Sequence, residues 1–247
     1  MLWLAIIGLF LTVFVVAFVV ILVRARANAP AWESARRAFF EQTDYRYPAV
    51  ANAGLEAQLT HRHLKLHEED FVVPIVGLGV LRYQSQRRHV GRQRITTSSW
   101  SVRAETPLRA SWQLVDRALL PSLTGALATA VTGRSRSWKQ VYPGPVPTGD
   151  AELDRRFAVY APATTDVRRV FGNQELRERL LAALEVDLVV SPEGVVLSDP
   201  EHSNLRAAQG GLTGRLAAGM SPGAYLAAIP VHVRVRELLV AAAAVSK

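Results

Sequence analysis

Three histidines, His61, His63 and His67, with Glu69 beyond them, have the residue types of a metal site, because imidazole and carboxylate suit zinc. On a strand the H-x-H pair would project from one face. Lys65 falls on that same face, where its ammonium opposes a dication, and no H-E-x-x-H accompanies the group. A solvated polar strand face is therefore the expectation. Gly219-Met220-Ser221-Pro222-Gly223 matches the G-x-S-x-G nucleophile elbow. Its chemistry fails at Pro222, which has no N–H to give an oxyanion hole. Downstream there is His232 but no Asp, and Glu237 comes out of the expected order. Ser221-Pro222 reads better as an N-cap followed by a first-turn proline.

Asp150, Glu152 and Asp154 resemble the opening of a calcium loop, but Arg155 and Ala161 stand where glycine and glutamate are needed. Asp150 capping a helical turn explains the pattern. Gly77-Leu78-Gly79 lacks the third glycine and the strand-to-helix context of a dinucleotide fingerprint. The chain has no cysteine, which excludes disulfides, thiolate metal sites and a cysteine nucleophile. No catalytic, cofactor-binding or metal-ligating residue is assigned, and a hydrolase is the least supported reading. One cluster carries a functional expectation. Arg82, Arg87, Arg88, Arg92 and Arg94 form a basic run suited to anionic headgroups or an acidic partner.

The element that must position all of this is the N-terminal run Leu2–Val23, which has no charge and no proline. As a helix it would reach about 33 Å, enough to cross a hydrocarbon core. No positive segment precedes it, it exceeds a signal-peptide apolar core, and Ala27-Asn28-Ala29 is followed by the cleavage-blocking Pro30. A retained single-pass transmembrane helix is expected. Arg24, Arg26, Arg36 and Arg37 follow it against Glu33 alone. The positive-inside bias then places the N-terminus outside and the main domain in the cytoplasm, at a bacterial inner membrane.

The 247 residues carry a net charge of +8 and 29 basic side chains, of which only Lys65, Lys139 and Lys247 are lysines. An arginine- and alanine-heavy usage fits a GC-rich genome, and equally an attraction to polyanions. For a tethered domain the nearest polyanion is the headgroup layer. No RNP-like motif or helix-turn-helix points to a specific nucleic acid.

Along the chain, residues 24–54 read as a juxtamembrane helix and linker, with PAWESARRAFFEQ amphipathic and able to lie at the interface or pack on its own domain. Residues 55–142 read as β-rich. AQLTHRHLKLHEED alternates as a strand, and FVVPIVGLGVLRYQ is broken by Pro74, Gly77 and Gly79 as an edge strand or bend. Gly91 marks a turn or bulge in a basic, β-branched stretch. Leu108–Arg117 alternates again, and Pro121–Thr132 reads as a short helix. YPGPVP at 142–147 is the expected internal boundary. Residues 148–247 read as strand, helix, hairpin and helix: Phe157–Ala161, then Val167–Leu184, then two strands around Pro192-Glu193-Gly194, then a C-terminal helix. The fold class is α+β, an antiparallel sheet carrying helices behind an N-terminal anchor.

Trp32-Glu33-Ser34-Ala35, Thr148-Gly149-Asp150, Leu153-Asp154 and Phe157-Ala158-Val159, with RERLLAAL and SPEGVV after them, resemble a group of bacterial single-span membrane proteins of unknown function. That group has a "tGD..FD..F.V" segment, and Leu153 departs from its usual Phe. The resemblance implies no activity and carries over no catalytic residue. The expectation is a membrane-anchored structural or interaction module without catalytic activity and without a cofactor. The alternative is a module that binds or senses anionic lipid through its arginines.

Overall fold

The computed structural model describes residues 15–16, 30–31, 33–61, 69–90, 93–120, 139–183, 186–199 and 223–247. The Leu2–Val23 run lies outside them except for Val15 and Val16, which are helical and exposed. Among the described residues no helix is long and apolar enough to cross a membrane.

Helix α1 covers 33–43 and α2 covers Leu55–Thr60. Strands β1 (Glu69–Ile75), β2 (Gly79–Val90), β3 (Gln93–Ala104) and β4 (Trp112–Asp116) follow. Then come α3 (Ala151–Arg156), β5 (Phe157–Tyr160), α4 (Val167–Phe171) and α5 (Gln174–Ala182). The hairpin β6 (Asp187–Ser191) and β7 (Gly194–Asp199) leads to α6 (Gly223–Val245). The fold is α+β, as the alternation and helical periodicity imply.

Among the described residues seven strands form one antiparallel sheet in the order β1-β2-β3-β7-β6-β4-β5. Register explains why this sequence builds it. Phe71, Tyr83, Trp100, Leu197, Leu188, Leu114 and Val159 lie opposite one another across every strand, and all are buried. A second buried row runs Val73, Leu81, Val102, Val195, Val190 and Trp112. A slip of one residue in any strand would turn its half of these rows to the opposite face, so the apolar pattern fixes the pairing. The segments 55–142 and 148–247 interleave here, since β3 pairs β7 and β4 pairs both β5 and β6. YPGPVP at 142–147 thus separates stretches of sequence and not two sheets. It runs beside the β5 edge, with Val146 N–H donating to the Val159 carbonyl and Ala161 N–H to the Pro143 carbonyl.

The other edge is β1, and Pro74 sits in it as its missing N–H requires. Arg46 exchanges both backbone hydrogen bonds with Val72 at 2.8 Å, which covers part of that edge. At the β6–β7 turn Gly194 adopts φ +149°, and a Cβ there would lie 1.9 Å from the Val102 carbonyl oxygen. Only glycine fits that close approach.

The helices cover one face. α1 packs on its own domain through Ala35, Phe39 and Phe40, which are 2–3% exposed. Two expectations are corrected. The stretch from Ala57 to His61 is the end of α2 and its C-cap, not a strand; Arg62–Glu68 lie outside the described residues. Tertiary hydrogen bonds decide this: the Arg36 guanidinium donates to the carbonyls of Gln58, Leu59 and His61, satisfying the helix end. Val167–Leu184 is two helices, because Asn173 caps α5 by accepting from Leu176 N–H at 2.9 Å and so restarts the turn. The Pro121–Thr132 helix lies outside the described residues.

Candidate functional site

The basic run falls on β2, β3 and the turn between them. Arg82 is bound to Asp70 of the neighbouring strand, Nε to Oδ1 at 2.8 Å and Nη2 to Oδ2 at 2.5 Å. Its charge is thus locally balanced. Arg87 pairs across the ladder with Thr96, Arg88 with Ile95, and Arg94 with His89. Arg92 lies outside the described residues. Among the described residues the pairing of β1 with β2 reaches Ser85 and that of β7 with β3 reaches Ser98. β2 and β3 pair with each other from Gly79 to Val90 and carry Arg87, Arg88 and Arg94 in the far part of that hairpin.

A second candidate is a groove of about 380 Å³ between α5, α6 and the end of β7. Trp100, Val186, Leu197, Val231, Val235 and Leu238 line it, and Glu175, Glu178, Arg179, Arg234 and Glu237 form its rim. Arg179 donates to Glu237 at 2.5 Å and to Glu175 at 3.0 and 3.2 Å, clamping α5 to α6. Gln174 donates to Glu178 at 2.8 Å. Arg179, Glu175 and Glu237 are thus committed to one another, Arg234 Nε donates to the Pro230 carbonyl at 3.1 Å, and the walls suit an apolar group.

Beneath the groove lies His232, 2% exposed. Its Nδ1 accepts from Trp100 Nε1–H at 3.2 Å, and the Tyr45 hydroxyl lies 3.3 Å from the same nitrogen. The rings of Phe39, Tyr45, Tyr83 and Trp100 surround it at 4.8–5.5 Å between centroids. Burial holds its pKa down to about 3, so the imidazole is neutral at physiological pH. Burial also pushes the Tyr45 phenol upward. This cluster binds α1, α6 and the sheet together. Its sequence signal was the helical phase of Ala228, His232, Leu239 and Ala243, all buried on one side of α6.

The remaining motif residues that the structure describes have structural partners. His61 caps α2, with its ring 4.9 Å from that of Tyr47. His63, His67 and Ser221 lie outside the described residues. Among the described residues no three His, Asp or Glu side chains gather as metal ligands. Asp150 caps α3 by accepting from Glu152 and Leu153 N–H, and Arg177 donates to it at 2.5 Å, holding its carboxyl below the usual range. Asp154 accepts from both the N–H and the hydroxyl of Thr148. The Thr148-Gly149-Asp150…Leu153-Asp154…Phe157 pattern is thus a self-bonded turn, cap and strand start.

On the opposite sheet face, Asp187 is 8% exposed and accepts from Gln113 Nε2 at 3.1 Å. Burial raises its pKa against the opposing effect of that bond. D187N keeps the Oδ1 acceptor and removes the buried charge. It is expected to hold or raise stability at neutral pH by up to about 1 kcal/mol. The gain disappears as pH falls through the raised native pKa, and denaturant titration at two pH values reads it. A loss of stability at neutral pH would contradict the assignment.

Comparison with protein-family models, curated proteins and solved structures gives no match for this chain.

Proposed function

We propose that this chain is a single-pass, membrane-anchored interaction module whose α+β domain lies at the cytoplasmic face of a bacterial inner membrane. The observation that carries the reading is the uncharged Leu2–Val23 run followed by Arg24, Arg26, Arg36 and Arg37. A non-catalytic role is supported by how the ionisable side chains are used. Arg36 caps a helix, Arg179 clamps two, Asp150 and Asp154 fix a turn, and His232 is sealed within aromatic rings. The arginines carried by the β2–β3 hairpin, Arg87, Arg88 and Arg94, favour a second reading, contact with anionic lipid, within the same anchored frame.

Topology tests the first reading. Val76, in the turn after β1, is fully exposed, and the chain has no cysteine of its own. V76C is therefore a clean target for a membrane-impermeant maleimide. Protection in intact cells with labelling after lysis is the expected result. Labelling of intact cells would put the domain on the other side of the membrane and redirect the search to envelope partners.

A further inference from the structure

Residues 33–61 are bonded to one another across α1, the loop after it and α2. The Arg36 guanidinium donates to the carbonyls of Gln58, Leu59 and His61 at 2.6–3.2 Å and lies 5.7 Å from the Phe40 and Tyr47 ring centres. Gln58 accepts from Tyr47 N–H at 2.8 Å and donates to the Val50 carbonyl. Arg37 pairs with Glu56, and Arg46 donates to the Ala51 carbonyl. This self-bonded unit sits on the sheet through an apolar seam. Phe71 of β1 enters it and meets the rings of Phe39, Phe40, Tyr45 and Tyr47 at 5.2–5.7 Å. Beside Phe71, Arg46 and Val72 exchange their backbone hydrogen bonds.

Among the described residues α6 makes its polar contacts with this unit through two side chains one turn apart. Arg236 donates to the Thr43 carbonyl at 3.1 Å and to Asp44 at 3.2 Å. His232 is enclosed by Phe39 and Tyr45 of the unit and by Tyr83 and Trp100 of the sheet. Because Nδ1 accepts from Trp100, the neutral imidazole carries its hydrogen on Nε2. A second proton must go to Nδ1, where the indole N–H already points. Nothing around the ring compensates for that charge. α1 offers Phe39, the loop the Tyr45 phenol, β2 the Tyr83 phenol and β3 the Trp100 indole, while Arg236 of α6 is itself a cation turned to Asp44. Lifting residues 33–61 removes two of the four walls and lets water reach the imidazole.

We infer that residues 33–61 form a detachable cap and that protonation of His232 releases it, an acid-sensing switch that bares the aromatic face of β1–β3 while the rest of the sheet stays folded. Nothing in this switch depends on the membrane anchor. The remaining half of the domain keeps a core of its own, in which Trp112 meets Phe171 and bonds Ser246, and Arg179 ties α5 to α6. None of those contacts passes through the cap. The sign follows from where the proton binds. In the closed domain burial holds His232 at about 3, and once the cap lifts it returns toward its ordinary 6.5. Opening therefore takes up a proton, and acid favours it. The opening constant rises about 25-fold between pH 7 and 5.

Amide hydrogen exchange of the full chain at pH 7 and 5, with each rate corrected for its intrinsic pH dependence, tests this. Arg46 and Val72 N–H bond across the seam at 2.8 Å and report the cap. Asp116 N–H donates to the Val186 carbonyl at 2.7 Å and reports the other half of the sheet. The seam amides are expected to be less protected than Asp116 at both pH values, and to lose about 25-fold in protection from pH 7 to 5. H232Q should cancel that loss. R236Q removes the second α6 contact and keeps the histidine, so it should lower seam protection about tenfold at both pH values and leave the pH ratio unchanged. Equal protection of the seam and Asp116 amides at pH 5 overturns the cap, because the domain then opens only as a whole. An acid loss that persists in H232Q overturns His232 as the trigger. Should H232Q fail to fold, wild type and R236Q still decide: seam protection that is the same at pH 7 and 5 in both overturns the inference.

Discussion

Between pH 6.5 and 5 the folded chain is expected to lose about 2 kcal/mol of stability through His232, at about 1.4 kcal/mol per pH unit. The sign follows from the direction of the shift. In the unfolded chain His232 titrates near its ordinary 6.5, while in the fold burial holds it at about 3. Below 6.5 the unfolded state therefore binds a proton that the native state refuses, and acid favours unfolding. The imidazole has no acidic partner among the rings around it, and Nδ1 is already used as an acceptor from Trp100 and beside Tyr45. Arg236, one turn further along α6, is turned to the Thr43 carbonyl and Asp44. Carboxylates such as Asp150 and Glu193, held below their usual range, lose their contributions only at lower pH, while Asp187, held above it, acts in the opposite sense, so the comparison of wild type with H232Q isolates His232.

H232Q should flatten the slope by one proton. It should also lower stability at pH 7 by about 1–3 kcal/mol, because glutamine cannot reproduce both buried hydrogen bonds. Urea titrations of wild type and variant at pH 7, 6 and 5 measure both effects. Parallel pH profiles for the two proteins would show that His232 is not buried as a neutral base.

Loss of Trp112 is expected to have the largest single effect. Trp112 is fully buried in the second apolar row, meets Phe171 of α4 edge-on at 5.1 Å, and donates from Nε1 to the Ser246 hydroxyl at 3.1 Å. That hydroxyl donates in turn to the Ala242 carbonyl, while the Ser246 carbonyl accepts from Arg109 and Ala110 N–H. One side chain thus fills the core and fixes the C-terminal end of α6 to the sheet. W112A should cost about 3–5 kcal/mol and lower the thermal midpoint by roughly 10 °C. W112F keeps part of the ring contact but loses the donor and some buried ring volume, at about 2 kcal/mol. Near-UV circular dichroism of the full chain during heating reads both. Equal losses for the two variants would assign the effect to the hydrogen bond and not to volume.

Much of this architecture was legible in the residues because it depends on short-range pattern. The β6–β7 hairpin follows from Pro192-Glu193-Gly194 between two apolar runs, and Gly194 alone tolerates the approach of Val102. Pro74 and Gly77 marked an edge strand and its turn, and Asp150 announced a cap. The long α6 was expected through the β-branched Val231, Val233 and Val235, and it forms because the alanine-rich continuation favours helix and its buried side meets the sheet.

Where expectation and structure part, long-range partners made the difference. Ala57–His61 carries the alternation of a strand, yet Arg36, more than twenty residues earlier, binds three carbonyls there and holds a helix end. Val167–Leu184 has one continuous helical stripe, but Asn173 offers its side chain to the backbone and divides it. The arginines of β2 and β3 were visible as composition. That Arg82 is bound to Asp70 depends on the β1–β2 register, which sets the two strands side by side.

The sequence by itself determined the apolar N-terminal run, the basic character, the antiparallel α+β class and the local turns, since each rests on residues within about ten positions of one another. Only the tertiary structure decided the strand order and the burial of His232 among four aromatic rings. Those depend on contacts between segments up to about two hundred residues apart, such as Tyr45 with His232. No local pattern encodes them, because the free energy that selects them is gained only when the segments meet.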